Sequence, residues 1–290
     1  MSTHCNEVLV TWMGLCMAAA GVLNTLGKEM AYGRFWDREG RPRVMLPARL
    51  AWCTQEMPSL AVPVILLLVH VGSSERGSVD TVNIVHLAMF CGHYFQRTFI
   101  FSLLSRGRPT SLSVMVKAFV FCTLNGYLQS YNLLKCKSYP SNWLTDARFL
   151  IGSIIFLAGV AMNIHSDWIL RNLRKPGEYV YRIPRGGLFE LVSGANFLGE
   201  IVEWIGYALA TWTFPAFAFA IFTIGCIGPR ALHHHRWGVP IRRTSWHGSP
   251  GNDRGVEPSH TLNKSTPKFS RLLQNITMKS FQTIPSQEKL

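Results

Sequence analysis

The sequence predicts an all-α, multi-pass membrane protein with about seven transmembrane helices enclosing a cavity. Three observations carry this. The 290 residues are 48% hydrophobic and only 16% charged, and the apolar residues gather into runs near 8–27, 57–72, 79–104, 112–134, 148–166, 195–212 and 214–229. A helix needs roughly 20 such residues to cross the hydrocarbon layer. Basic residues crowd alternate connections between these runs, as the positive-inside rule requires. Finally, Asn196, Glu200 and Glu203 fall at i, i+4 and i+7 in the sixth run, which is one polar stripe on one helical face. Ionisable groups at membrane depth face a protein-lined cavity.

Taken in order, the first run has no basic segment before it and no small-residue cleavage site after it, so it reads as an uncleaved span. The loop 28–49 carries Lys28, Arg34, Arg38, Arg41, Arg43 and Arg49. The second run contains Pro58 and Pro63, and Glu56 sits at its predicted entry, where an interfacial carboxylate is ordinary. The third run holds His86, His93, Tyr94 and Arg97; positions 86, 93 and 97 share one face and predict a pocket wall. Arg106, Arg108 and Lys117 follow it. Lys135 and Lys137, after the fourth run, are an exception to the charge alternation.

The fifth run ends in Asn163, His165 and Asp167, with Arg171, Arg174, Lys175, Arg182 and Arg185 beyond. Arginine forks match phosphate geometry, so this junction could hold an anionic cofactor, or it could be an ordinary basic flank. The glutamates of the sixth run could likewise pair with neighbouring arginines or reach an interface. The charge pattern places the N-terminus in the lumen and the C-terminus in the cytosol. From about Trp237 the composition turns to Ser, Thr, Pro, Asn and Lys. The chain therefore divides into a membrane domain, 1–236, and a basic cytosolic tail, 237–290, read as mostly disordered.

Several function classes drop out. The net charge of +13 sits in membrane-flanking loops and the tail, where anionic lipid accounts for it, and nucleic acid is not an expected partner. The seven cysteines show no CxxC or CxC spacing and are read as reduced apolar residues, with neither a disulfide framework nor a zinc site. Consecutive His233, His234 and His235 diverge by about 100° each on a helix and cannot chelate one metal ion. No GxGxxG and no P-loop occurs, and Gly186-Gly187 alone says only turn. The sequons at Asn263 and Asn275 fall in the cytosolic tail.

Ordered blocks from Tyr32 to Arg236 resemble the steroid 5α-reductases, with wording nearer the type 2 members. They are LPARLAWCTQEMPS (46–59), HYFQRTF (93–99), SRGRP (105–109), FCTLNGYLQSY (121–131), NIHSDWILRNLRKPGE (163–178), YRIPRGGLFELVSGANFLGEIVEWIGYALATW (181–212) and RALHHHR (230–236). The resemblance implies an endoplasmic-reticulum enzyme that uses NADPH to reduce the C4–C5 double bond of a 3-oxo-Δ4-steroid such as testosterone or progesterone. By the same resemblance Glu56 and Tyr94 are the catalytic pair that holds the steroid 3-keto oxygen. Tyr32, Trp52, Arg97, Arg106, Arg108, Asn163, Asp167, Arg174, Tyr181, Arg182, Asn196, Glu200, Arg230 and His234 match positions lining the cofactor site, and no metal is implied.

Two departures stand out. Phe101 replaces a frequent tyrosine, removing one cofactor hydrogen bond. After Arg236 the family pattern stops, and Gly238 stands where the family has a tyrosine that packs over the cofactor. The expectation is weakened NADPH retention or poor folding, with an intact steroid pocket. Three rivals remain: a steroid-binding isoform without turnover, a seven-span receptor or transporter, and a lipid enone reductase of the enoyl-CoA type. Oligomeric state is silent in the sequence.

Overall fold

The computed structural model describes residues 5–26, 44–72, 79–173 and 182–246, the last segment as backbone only from 233. Tyr32, Arg174 and Tyr181 lie outside the described residues, as does the His234 side chain. Helix α1 is Glu7–Leu26 and α2 is Ala48–Gly72. Helix α3, Thr81–Phe95, runs through a π-helical turn, Gln96–Phe101, into the short α4, Ser102–Leu104. Then come α5 (Leu112–Tyr131), a second π-helical turn (Asn132–Cys136), α6 (Ala147–Asn172), α7 (Ala195–Thr211) and α8 (Phe214–Trp246). Strands β1 (Met45–Leu46) and β2 (Thr110–Ser111) pair antiparallel, Met45 opposite Ser111 and Leu46 opposite Thr110, and tie the starts of α2 and α5 together.

Five described helices are long and apolar enough to cross a membrane: α1, α2, α5 with its π turn, α6, and α8 over Phe214–Leu232. Helix also covers the third and sixth predicted spans. There it is broken by the π turn in one case and is 17 residues long in the other, about 26 Å against a hydrocarbon layer of about 30 Å. Their outward faces fit lipid: Trp12, Leu68, Ile154 and Leu157 are each more than 60% exposed, which an apolar solvent accepts and water does not.

Two helix boundaries and one cysteine pair differ from the sequence reading. Helix α2 begins at Ala48 rather than 57, so Glu56 lies two turns inside the helix and not at its entry; the polar Thr54-Gln55-Glu56 stretch hid that start. Helix α8 continues to Trp246, across the composition change that marked the tail. Cys5 and Cys136 form a disulfide, correcting the reading of all seven cysteines as reduced. A separation of 131 residues leaves no spacing signal. What brings the two together is the docking of the start of α1 against the end of α5, where the Asn6 N–H donates to Tyr131 Oη at 3.2 Å.

Small residues set the packing. On the α6–α7 seam Gly152, Gly159, Gly199 and Gly206 leave no room for a side chain. A Cβ on Gly159 would strike the Glu203 backbone, and one on Gly199 would come within 2.9 Å of Asn163 Cα. Without a hydrophobic force between helices in lipid, such close backbone approach is what holds them. Gly14 and Gly21 do the same for α1 against Phe214 and Phe222 of α8, and Gly126 of α5 meets Pro58 and Ser59 of α2. Trp212, at φ 47, is the left-handed residue that lets α7 reverse into α8. Asp146 caps α6 by accepting from the Arg148 N–H at 2.8 Å, and its hydrogen bonds to Arg148 hold the carboxyl down at about 2.

Candidate active site

Helix α5 supplies one wall. Its residues Cys122, Asn125 and Gln129 follow i, i+3 and i+7, a single face, and all three are buried. Cys122 Sγ lies 3.7 Å from Glu56 Oε2 of α2, and Gln55 Nε2 donates to Glu56 Oε1 at 3.1 Å. One turn further along, Asn125 Nδ2 donates to Tyr94 Oη of α3 at 3.3 Å. Glu56 and Tyr94, from different helices, thus border the same α5 face about one turn apart. Tyr94 is 4% exposed, packed by Phe90 and Trp204 at ring centroid distances of 4.7 and 5.9 Å.

The polar stripes of α3 and α7 meet each other. His86 Nε2 donates to Ala210 O at 3.1 Å, His93 Nδ1 lies 2.6 Å from Glu203 Oε1, and Arg97 Nη2 lies 3.6 Å from Glu200 Oε2. Both predicted stripes were legible; their mutual pairing was not. Arg97 Nη1 also donates to Asp167 Oδ2 of α6 at 2.9 Å, so one buried guanidinium bridges two carboxylates. Its Cζ sits 4.2 Å from the Phe101 ring centroid and 5.5 Å from that of Trp52, within cation–π range of both rings. Phe101 therefore contributes a surface where a tyrosine hydroxyl was expected.

Asn163 Nδ2 donates to the Asn196 carbonyl at 2.9 Å, and the Asn196 side chain reaches Asp167. Trp52, Arg97, Asn163, Asp167, Asn196 and Glu200 consequently form one connected layer where α2, α3, α6 and α7 converge. Arg106 and Arg182 are exposed, Arg108 and Arg230 half-buried; Arg106 Nη1 reaches the Arg171 carbonyl at 3.5 Å. Two open grooves of about 410 and 390 Å³ flank α6: the first lies against α3 and is floored by His93, Asn163 and Glu203, and the second lies against the π turn and α4 and is bordered by Asp167 and Arg171. Glu56 and Tyr94 line neither.

The comparisons agree on a family. A model described as 3-oxo-5-alpha-steroid 4-dehydrogenase matches residues 108–240. The chain is 49% identical over 242 residues to 3-oxo-5-alpha-steroid 4-dehydrogenase 2 of Sus scrofa, covering 83% of this chain and 94% of that protein. This chain belongs to the 3-oxo-5-alpha-steroid 4-dehydrogenase family. It is also 50% identical over 238 residues to the type 2 protein of Homo sapiens, covering 82% of this chain and 92% of the relative. To the type 1 protein of Bos taurus it is 52% identical over 193 residues, covering 66% and 75%. The similarity to type 2 relatives thus extends over more of the chain, at equal identity. Within this family site, sequence reasoning passed over Asn125 and Gln129. The signal was present: two amides at i and i+4 in an apolar helix.

Proposed function

We propose that this protein reduces the C4–C5 double bond of 3-oxo-Δ4-steroids such as testosterone and progesterone, with NADPH as reductant, in the endoplasmic-reticulum membrane. The observation that carries the reading is Glu56 and Tyr94 sharing the α5 face, in a member of a steroid dehydrogenase family.

The chain's residues suit such a cofactor. Asn163, Asn196 and Glu200 offer amide and carboxylate groups of the kind that orient a carboxamide, and Arg106, Arg108, Arg182 and Arg230 supply cations suited to phosphates. Arg97 has a different task from a phosphate clamp, because Asp167 and Glu200 take its two terminal nitrogens; it holds those carboxylates in place. NADPH, when bound, supplies the hydride that adds at C5, and the resulting enolate takes a proton at C4 to complete the reduction. Tyr94 donates a hydrogen bond to the 3-keto oxygen, with Glu56 beside it. That donor strengthens as negative charge develops on the enolate oxygen, which is how an oxyanion-hole group lowers a barrier. The surrounding Phe90, Trp204 and Leu128 keep water from the reacting atoms.

The direct test is steroid conversion in membranes from cells expressing the full chain, with NADPH or NADH supplied and 5α-dihydro products quantified. NADPH-dependent product is expected. A second reading, a steroid-binding chain without turnover, rests on the departure after Arg236, where Gly238 follows. Membrane-inserted protein that retains inhibitor binding yet forms no product would establish that reading instead.

A further inference from the structure

We infer that Asn125 and Gln129 are positioning residues that fix the direction of the Tyr94 hydroxyl, turning its proton away from α5 toward the Ser59–Glu56 side, where a substrate oxygen can take it. The inference rests on the Tyr94 role proposed above and concerns what makes that role possible. A phenol both donates and accepts, so a buried tyrosine beside polar neighbours can spend its proton on the protein. Here a chain of hydrogen bonds decides otherwise.

The chain starts at the Pro215 carbonyl, which can only accept. Gln129 Nε2 donates to it at 3.0 Å, so the NH₂ end of that amide faces Pro215. The same NH₂ donates to Asn125 Oδ1 at 3.3 Å, which fixes the Asn125 amide with its carbonyl toward Gln129. The Asn125 NH₂ must then point the other way, and it donates to Tyr94 Oη at 3.3 Å. Tyr94 accepts that bond, and its own proton is directed elsewhere. Glu56 and Ser59 also face the phenol. Ser59, whose own proton goes to the Cys122 carbonyl at 3.0 Å, meets Tyr94 as an acceptor, so the Tyr94 proton lies on the Ser59–Glu56 side, away from the α5 amides. Burial locks this polarity: Asn125 is 0%, Gln129 1% and Ser59 0% exposed, so water does not compete for any of these bonds. The order of donors and acceptors is therefore set by a backbone carbonyl on α8 and transmitted along one face of α5.

The substitution Asn125→Asp keeps the shape but reverses the polarity, since a carboxylate accepts the Tyr94 proton. It should lower the kcat for steroid reduction at least tenfold, leave the KM for NADPH within twofold, and leave the amount of membrane-inserted protein unchanged. Gln129→Glu, one bond further away, should show the same pattern with a smaller loss. The discriminating measurement is the double-mutant cycle with Tyr94→Phe. With the hydroxyl gone there is no proton to misdirect, so Asn125→Asp should cost less than twofold in that background. If Tyr94→Phe is impaired and Asn125→Asp still costs its full factor there, the polarity inference is overturned. If Tyr94→Phe turns over normally, the catalytic reading of Tyr94 fails, and the inference built on it fails with it.

Discussion

At the scale of the residue, the site contrasts a proton donor with a set of fixed charges. Glu56→Gln preserves size but removes the titratable proton of the carboxyl, and it leaves one acceptor oxygen where Gln55 and Cys122 now meet two. About a hundredfold loss of turnover is expected, the range seen when one group contacting a developing oxyanion is removed, with NADPH binding retained. Normal turnover would take Glu56 out of the chemistry. Asn196→Ser separates side chain from backbone, because Asn163 binds the Asn196 carbonyl and that bond survives the substitution. A roughly tenfold rise in the KM for NADPH, about 1.4 kcal/mol, should appear with kcat nearly unchanged; an unaltered KM would show that the amide does not touch the cofactor. The glutamate and asparagine positions were legible because polar groups at helical spacing in an apolar run require a protein-lined site. Their partners were not, since Glu203 meets His93 across a sequence separation of 110 that no periodicity connects.

At the scale of the element, the sequence reads well where periodicity is long and poorly where two signals compete. The start of helix α6 was found to within one residue, though its end ran six residues further, whereas the start of α2 was lost because Thr54, Gln55 and Glu56 look like a loop although they line a buried site. The glycines of the α6–α7 seam had no reading in the sequence, since a glycine in a helix looks like a weakness until the opposing backbone is seen. That distinction can be measured. Gly159→Ala places a Cβ into the Glu203 backbone and should destabilise the protein by about 1–3 kcal/mol. Gly92→Ala, on α3, meets nothing within 4 Å and should stabilise slightly through the better helix propensity of alanine. Thermal stability in detergent reads both. Equal shifts for the two would mean that the seam is not close-packed.

At the scale of the whole molecule, parity constrains how often the chain crosses the bilayer. If only the five long helices crossed, Cys5 and Cys136 would be separated by α1, α2 and α5, an odd number, and would emerge on opposite faces. Their disulfide needs an even number, which adds α3. The β1–β2 pairing makes the same demand independently, because α2 and the α3 segment lie between its strands. For α7 the argument comes from Tyr139 Oη donating to the Thr211 carbonyl at 2.6 Å and Trp143 Nε1 to the Ala210 carbonyl at 3.0 Å: residues before α6 and residues ending α7 share a face, so both helices cross. From these contacts we propose seven crossings, the five long helices with α3 and α7, which puts the disulfide on the face opposite Arg49, Arg106, Arg108, Arg182 and Arg185. Disulfides persist in oxidising compartments and basic loops stay cytosolic, so the orientation we propose has the N-terminus in the lumen. An N-glycosylation acceptor appended to the N-terminus should then be modified, while the native sequons at Asn263 and Asn275 should not be. Thiol labelling of the denatured, unreduced protein should modify the five free cysteines and reach all seven only after reduction. A glycosidase-sensitive shift arising from Asn263 or Asn275 would invert the orientation. Seven labelled thiols without reduction would remove the bond on which the parity of α3 most directly rests.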